Sequence, residues 1–333
     1  MKAFELQPGF GFDNLKLVDR AEPQAGHGQV IVSLKAWSLN YRDLMVVTGA
    51  YNPKMKLPLM PLSDGAGEVV AVGPGVTKFK PGDRVAGCFM QHWVSGEVTD
   101  EKARSALGGA MDGVLAERVA YFEEGLVPIP GGLSFEEAAT LPCAALTAWH
   151  ALVPSGHLKA GDTVLLQGTG GVSIFALQFA KLHGARIIIT SSSDAKLAKA
   201  KQLGAAETIN YKAVPEWGKK ALELTGGVDH VVEVGGAGTL NESLRAVRPG
   251  GHIALIGVLA GGQAFNWVPI LMKSVRLHGI FVGSREMFEA MNRAIAISGL
   301  RPIIDRVFDF AQAREAMQYM QSGSHFGKVV IRR

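Results

Sequence analysis

The sequence predicts an α/β protein whose middle is a doubly wound parallel sheet and whose two ends supply a β-rich partner domain. Three observations predict it. The chain has 333 residues, too many for one ordinary core, so two domains of about 100–200 residues each are expected. Hydrophobic residues make up 47% and charged residues 19%, the balance of a chain that folds rather than stays disordered. From about residue 125, apolar β-branched runs alternate with helical patterns, as in a sheet covered on both faces.

The first third reads as β structure. Residues 29–36 alternate as a half-buried strand does. Residues 67–73 form another strand, closed by the turn Gly73-Pro74-Gly75, and Pro81-Gly82-Asp83 is a turn feeding a strand at 80–85. Short strands with turn signals at this spacing suggest a compact barrel or sandwich. Next come a strand at 163–167 and a helix at 173–183 with apolar Ile174, Leu177, Phe179 and Leu182. A strand at 186–190 follows, then a helix at 194–203 stopped by Gly204. Further strands are expected at 228–234, 252–257 and 277–282. The last fifty residues hold helices near 287–298 and 311–322 and a final strand at 328–331. The expected division is one domain from 1–124 and 285–333, with a second, 125–284, inserted into it.

Several classes are excluded. The net charge is +4, but Lys and Arg are scattered and form no basic cluster, so no nucleic-acid partner is expected. Two cysteines, Cys88 and Cys143, cannot make a disulfide framework or a four-cysteine zinc site, and a reduced, cytoplasmic setting is expected. Residues 1–6 lack the apolar run of a signal peptide. The stretch 249–272 carries no charge and has the length of a membrane span. Its glycines, Gln263, Asn266 and Pro269 make it a buried strand followed by a glycine loop, so no membrane partner is expected.

The strand at 163–167 runs into Gly168-Thr169-Gly170-Gly171-Val172-Ser173, and a helix follows. Gly168 permits the tight turn, Gly170 lets the backbone approach a pyrophosphate, and the helix N-terminus supplies free N–H groups and a positive dipole end. Ser173 stands where a third glycine is usual and is small enough for helix–strand packing. In this strand–turn–helix setting the motif reads as a dinucleotide site on a Rossmann-type domain. The next strand ends in Thr190-Ser191-Ser192-Ser193, with Lys196 beyond. A carboxylate there would bind ribose hydroxyls and repel a 2′-phosphate; hydroxyls and an ammonium accept the phosphate. The expected cofactor is therefore NADP(H). Asp194 is explained as an N-cap for the following helix.

The order of β-rich segment, Gly-Thr-Gly-Gly-Val and closing Gly-Lys-Val-Val-Ile resembles the medium-chain dehydrogenase/reductase superfamily over essentially the whole chain. The resemblance implies a GroES-like β-barrel catalytic domain beside the Rossmann domain. Ser38-Leu39-Asn40-Tyr41-Arg42-Asp43 is similar to the zinc-free quinone oxidoreductase branch. The zinc alcohol dehydrogenases of the superfamily carry a Cys-His pair where this chain has Asn40-Tyr41, and a His where it has Ser63. The third ligand position falls on Cys143, and the four-cysteine lobe is missing from residues 87–113. One thiolate with Asn and Ser makes no tight site, so no zinc is expected. Without that Lewis acid, hydride transfer to a quinone or an α,β-unsaturated carbonyl is favoured, because conjugation spreads the charge.

Matched to the family segment, Asn40, Asp43, Tyr51 and Ser63 are expected at the catalytic site. Asn40 would hydrogen-bond the substrate carbonyl or the nicotinamide ribose, and Tyr51 would supply a phenolic donor. Asp43 would orient neighbours or act as a buried ion pair or cap, and Ser63 with Asp64 would line the former metal site. Met45 replaces a tyrosine found in some quinone oxidoreductases. For the cofactor, the resemblance implies Thr147, Gly235, Gly257, Val258, Val282, Ser284 and Lys328, added to Gly168, Thr169, Gly170, Gly171, Val172, Ser191, Ser192 and Lys196. A small-molecule substrate is implied. A homodimer is expected through the last Rossmann strand, whose edge would otherwise stay open. Two other readings stay open: an NAD(P)-dependent alcohol dehydrogenase, and a cofactor-binding structural or RNA-binding protein without turnover.

Overall fold

The computed structural model describes every residue except 258 and 261–265. In chain order the strands are Lys2–Leu6 (β1), Leu15–Asp19 (β2), Gln29–Ser38 (β3), Asp64–Val72 (β4), Arg84–Gly87 (β5), Arg118–Phe122 (β6) and Leu126–Pro128 (β7). They continue with Thr163–Gln167 (β8), Arg186–Ser191 (β9), Glu207–Asn210 (β10), Val228–Glu233 (β11), Val247–Leu255 (β12) and Arg276–Gly279 (β13), and end with Ile304–Asp309 (β14) and Lys328–Arg332 (β15). The chain divides into two compact units, Met1–Leu146 with Gly283–Arg333, and Thr147–Val282. The expected boundary at residue 125 thus moves to 146. β7 pairs with β5 and Leu126 joins the core of the first unit.

The first unit holds a β1–β2 pair and a seven-stranded sheet in the order β14-β15-β3-β4-β5-β7, with β6 also on β3. β3 is its spine, ten residues long and buried along most of its length. Trp37 on β3 is fully buried. Its indole N–H donates to the Val114 carbonyl at 2.6 Å, as a buried indole requires, and its ring packs on Phe310. In β4, a Cβ at Gly67 would lie 2.2 Å from the Ser33 carbonyl oxygen; only glycine allows β3 and β4 to approach so closely. β15 lies antiparallel to β3, with Val330 opposite Ser38, which brings the chain's last strand beside the start of the helix Tyr41–Thr48.

The second unit is a six-stranded sheet in the order β10-β9-β8-β11-β12-β13, parallel throughout. Its strands are apolar because both faces are covered: Leu165, Ile188, Val231 and Ile253 are fully buried in one cluster. Strand order reverses between β8 and β11. Open α/β sheets bind ligands outside the carboxyl ends of their strands at such a point. The last strand stops at Gly279 rather than 282. Val282 has φ +59, a left-handed conformation that a β-branched residue rarely adopts and that no strand continues through. Among the described residues, no helix is long and apolar enough to cross a membrane.

Candidate active site

In the first unit, Asn40 precedes the helix Tyr41–Thr48 in extended conformation and Asp43 is the third residue of that helix. The Asn40 backbone N–H donates to Asp43 Oδ2 at 2.8 Å, so Asp43 satisfies a helix-end donor. Arg42 N–H groups lie 3.6 Å from the other Asp43 oxygen, and the guanidinium also stacks over Phe89. Burial pushes the Asp43 carboxyl up to about 6, against the pull of Arg42 and of the Asn40 N–H. Asp43 therefore fills both the ion-pair and the cap roles.

Lys328 reaches the same place from β15. Its ammonium is buried and donates to the Leu39 carbonyl and to Asn40 Oδ1, each at 2.6 Å. Burial lowers its pKa, while Asp64 next to it opposes that shift. Asp64 is fully buried. It accepts from the Ser63 hydroxyl at 2.7 Å and from the Cys143 backbone N–H at 3.1 Å. Burial raises its pKa, opposed first by Lys328. The turn carrying Ser63 is strained: Leu62 has φ +69, with the backbones of Gly108 and Gly113 fitted against it. Tyr51 stands at the rim, 40% exposed, with its ring 5.8 Å from the Arg42 guanidinium.

The structure thus gathers Asn40, Asp43 and Ser63 with Lys328, Asp64, Arg42 and Cys143, and leaves Tyr51 at the edge. Lys328, expected near the cofactor, donates two of its three ammonium N–H groups to Leu39 and Asn40 within its own unit. The residues at the metal-ligand positions do not fit a catalytic zinc. Asn40 Oδ1 already faces a cation and the Ser63 hydroxyl is turned to Asp64, which leaves Cys143 the one strong ligand type at the three positions. Among the described residues no group of three His, Cys, Asp or Glu side chains is arranged to hold a metal.

In the second unit the glycine loop fits a dinucleotide diphosphate. Gly168 has φ +68, and neither it nor Gly170 has any atom within 4 Å of where a Cβ would stand. The space before Gly170, at the N-cap of the helix Gly171–Leu182, is open for a phosphate. Thr169 is buried beside it, and Val172 is the second residue of the helix. Ser173 does more than keep contact close: its hydroxyl donates to the Gln167 carbonyl at 2.6 Å.

β9 ends at Ser191, with Ser192 half-buried beyond it. The N-cap is Ser193, not Asp194: the Ser193 hydroxyl accepts from the Lys196 N–H, and Asp194 accepts from the Asn210 side chain at 2.7 Å, which ties it to the end of β10.

A network absent from the sequence reading underlies the loop. Glu233, fully buried at the end of β11, accepts from Gln167 Nε2 at 2.6 Å, from the Gly235 and Gly236 N–H groups at 2.8 and 2.9 Å, from Thr239 at 2.6 Å and from Ser243. Gly235 is therefore a packing glycine whose N–H is taken, and a Cβ there would strike Thr239. Gly257 crosses Val234 closely, where a Cβ would lie 2.0 Å from its carbonyl oxygen. Gly257 and Gly236 both line an apolar cavity of about 510 Å³ at the ends of β11 to β13.

Thr147 is buried in the helix Leu146–Leu152. The strained Val282 carbonyl lies 2.8 Å from His150 Nδ1. Ser284 belongs to the first unit, and its hydroxyl caps the helix Arg285–Ser298. The expectation for Val258 lies outside the described residues.

Two family models match the chain: an alcohol dehydrogenase GroES-like domain over residues 26–131 and a zinc-binding dehydrogenase domain over residues 171–296. A zinc-type alcohol dehydrogenase-like protein of Schizosaccharomyces pombe is 46% identical, with 97% of this chain and 96% of that one covered. The crystal structure of an NAD-dependent alcohol dehydrogenase is 35% identical with a TM-score of 0.91, covering 100% of both chains. The quinone oxidoreductase of Coxiella burnetii is 29% identical with a TM-score of 0.83, covering 100% of this chain and 99% of that one. The chain belongs to the medium-chain dehydrogenase/reductase superfamily and is an oxidoreductase of that family, with a GroES-like and a Rossmann domain.

Proposed function

We propose that the protein is an NADPH-dependent reductase of quinones or α,β-unsaturated carbonyls that works without zinc. The observation that carries this reading is the ammonium of Lys328 hydrogen-bonded to Asn40 beside Asp64, where a metal-dependent relative needs free ligands. The likeness to a quinone oxidoreductase supports it.

When bound, the reduced nicotinamide supplies a hydride. Gly168, Gly170 and the N-terminus of the helix Gly171–Leu182 hold the diphosphate. Ser191, Ser192 and Lys196 take the 2′-phosphate, and no carboxylate at the end of β9 competes for the ribose. Asn40 offers an N–H to the substrate carbonyl as charge develops there, and Tyr51 is a phenolic proton source at the rim. A homodimer through β13 belongs to the same proposal. That strand is the sheet edge, and Trp267, Leu271 and Met272 just before it are 62%, 67% and 76% exposed, a patch that association would cover.

The test is NADPH oxidation by purified, metal-analysed protein against quinones, enones and simple ketones. Turnover of quinones or enones by metal-free protein supports the reading. Turnover of ketones alone, and only with bound metal, overturns it in favour of an alcohol dehydrogenase, to which the S. pombe relative's name points. Tight NADPH binding with no turnover of any acceptor favours the cofactor-binding protein of another class. A monomer by light scattering at micromolar concentration removes the dimer.

A further inference from the structure

Every hydrogen-bonding atom of Asn40 except one is tied down by the protein. Its backbone N–H is held by Asp43, its backbone carbonyl accepts the Asp43 N–H at 2.9 Å, and its Oδ1 accepts from Lys328. The residue before it is fixed as well. The Leu39 carbonyl accepts from the same ammonium, and the Leu39 N–H donates to Val329, next to Lys328, at 3.0 Å. An ammonium carries only donors, so it selects the amide oxygen and turns the amide nitrogen away from itself.

That nitrogen, Asn40 Nδ2, is buried and carries two N–H groups; it turns one towards the Asp64 carboxylate and has no further partner among the described residues. The Asp64 oxygens already accept from Ser63 and from the Cys143 N–H. Arg42 Nε and Nη1 and Asp43 Oδ1 in the same cluster also lack hydrogen bonds, but the Asn40 N–H is the open donor whose direction Lys328 sets, and a buried donor left open calls for a partner from outside the protein.

We infer that Lys328 is a positioning residue: its ammonium locks the Asn40 amide so that the site presents an N–H donor and selects substrates through an acceptor oxygen. This rests on the reductase reading above, because a quinone or enone carbonyl offers that acceptor. The hydrogen bond to Oδ1 also polarises the amide and strengthens its opposite N–H as a donor. Lys328 acts through Asn40 and touches neither substrate nor cofactor.

A double-mutant cycle tests it, with Lys328→Met, Asn40→Ala and both together, and with Lys328→Arg as the conservative replacement. Two quantities are read: kcat/KM for a quinone, and the dissociation constant of that quinone for the NADP⁺-loaded protein. NADPH affinity is measured separately by fluorescence. Lys328→Met is expected to lower kcat/KM and to weaken quinone binding by about tenfold. The double variant should be no worse than Asn40→Ala alone, since Lys328 has nothing left to hold. Lys328→Arg, which can still donate to Oδ1, should recover part of the loss, and NADPH affinity should stay within about twofold throughout.

Additive losses in the cycle overturn the inference and leave Lys328 a structural residue. A large loss of NADPH affinity in Lys328→Met overturns it in favour of a cofactor contact. If the wild type reduces no quinone or enone but does reduce ketones, the reductase reading fails on its own, and the same cycle run on the ketone decides the role of Lys328. If no acceptor is turned over, the cycle on quinone binding decides it, and wild-type protein that binds no quinone overturns it. Thermal melting of each variant separates loss of fold from loss of positioning.

Discussion

Glu233 at the end of β11 and Gln167 at the end of β8 are joined by a 2.6 Å hydrogen bond across the point where strand order reverses. The same carboxylate holds the two glycine N–H groups that follow it, so one buried charge links the two strand ends that frame the cofactor site. Glu233→Gln replaces an acceptor of five donors with a group that must turn a donor towards some of them. It should destabilise the protein by roughly 2–4 kcal/mol, read as a lower denaturation midpoint by circular dichroism. An unchanged midpoint would show that water or a neighbour takes over the role.

Gly168 and Gly170 are glycines for different reasons, and alanine should separate them. Gly168 sits at positive φ, so Gly168→Ala should cost about 1 kcal/mol of stability. Gly170 has φ −78 and open space before it. Gly170→Ala should melt like the wild type but weaken NADPH binding about tenfold or more by placing a methyl group in the phosphate's path. Titration of intrinsic fluorescence with NADPH checks both.

Ser192→Asp places a carboxylate beyond the end of β9. It should raise the NADPH dissociation constant about tenfold while leaving that for NADH within about threefold, because only NADPH carries the 2′-phosphate that the new charge repels. Equal effects on both would remove the assignment of this strand end to the 2′-phosphate.

Burial raises the Asp43 carboxyl from 3.8 to about 6, so between these values the folded chain holds a proton that the unfolded chain has lost. Stability from this group is therefore present below about pH 4 and declines as the pH rises through 6, by roughly 3 kcal/mol in all. Asp43→Asn, which keeps an oxygen for the Asn40 N–H, should remove that decline. Urea denaturation of both proteins at pH 4.5 and 7.5 checks it; parallel pH dependence would place the titration elsewhere.

The second unit was largely legible. The expected strand at 163–167 and helix at 194–203 match β8 and Asp194–Leu203 residue for residue, because continuous apolar runs and a glycine stop leave few alternatives. The four-residue β10, with only Ile209 buried, is too short to carry a pattern. The helix Tyr41–Thr48 is masked by β-branched Val46, Val47 and Thr48, which favour strands. Asn40, Asp43 and Ser63 were expected from the family resemblance of residues 38–43 and 62–67, and the structure brings these segments together. The contact of Lys328 with Asn40 was not legible, since it spans 288 positions and no local pattern encodes it. The signal for Glu233 is a carboxylate that closes the apolar run Val231-Val232 two residues before paired glycines.

Because β15 pairs with β3 and carries Lys328 to Asn40, the first unit cannot be completed in the order in which it is synthesised. The second unit is one continuous segment, Thr147–Val282, and has all of its strands once residue 279 has left the ribosome. The first must keep the seat for β15 vacant through that interval. At about 5–20 residues per second, the glycine loop of the second unit is made several seconds before the lysine that completes the other unit.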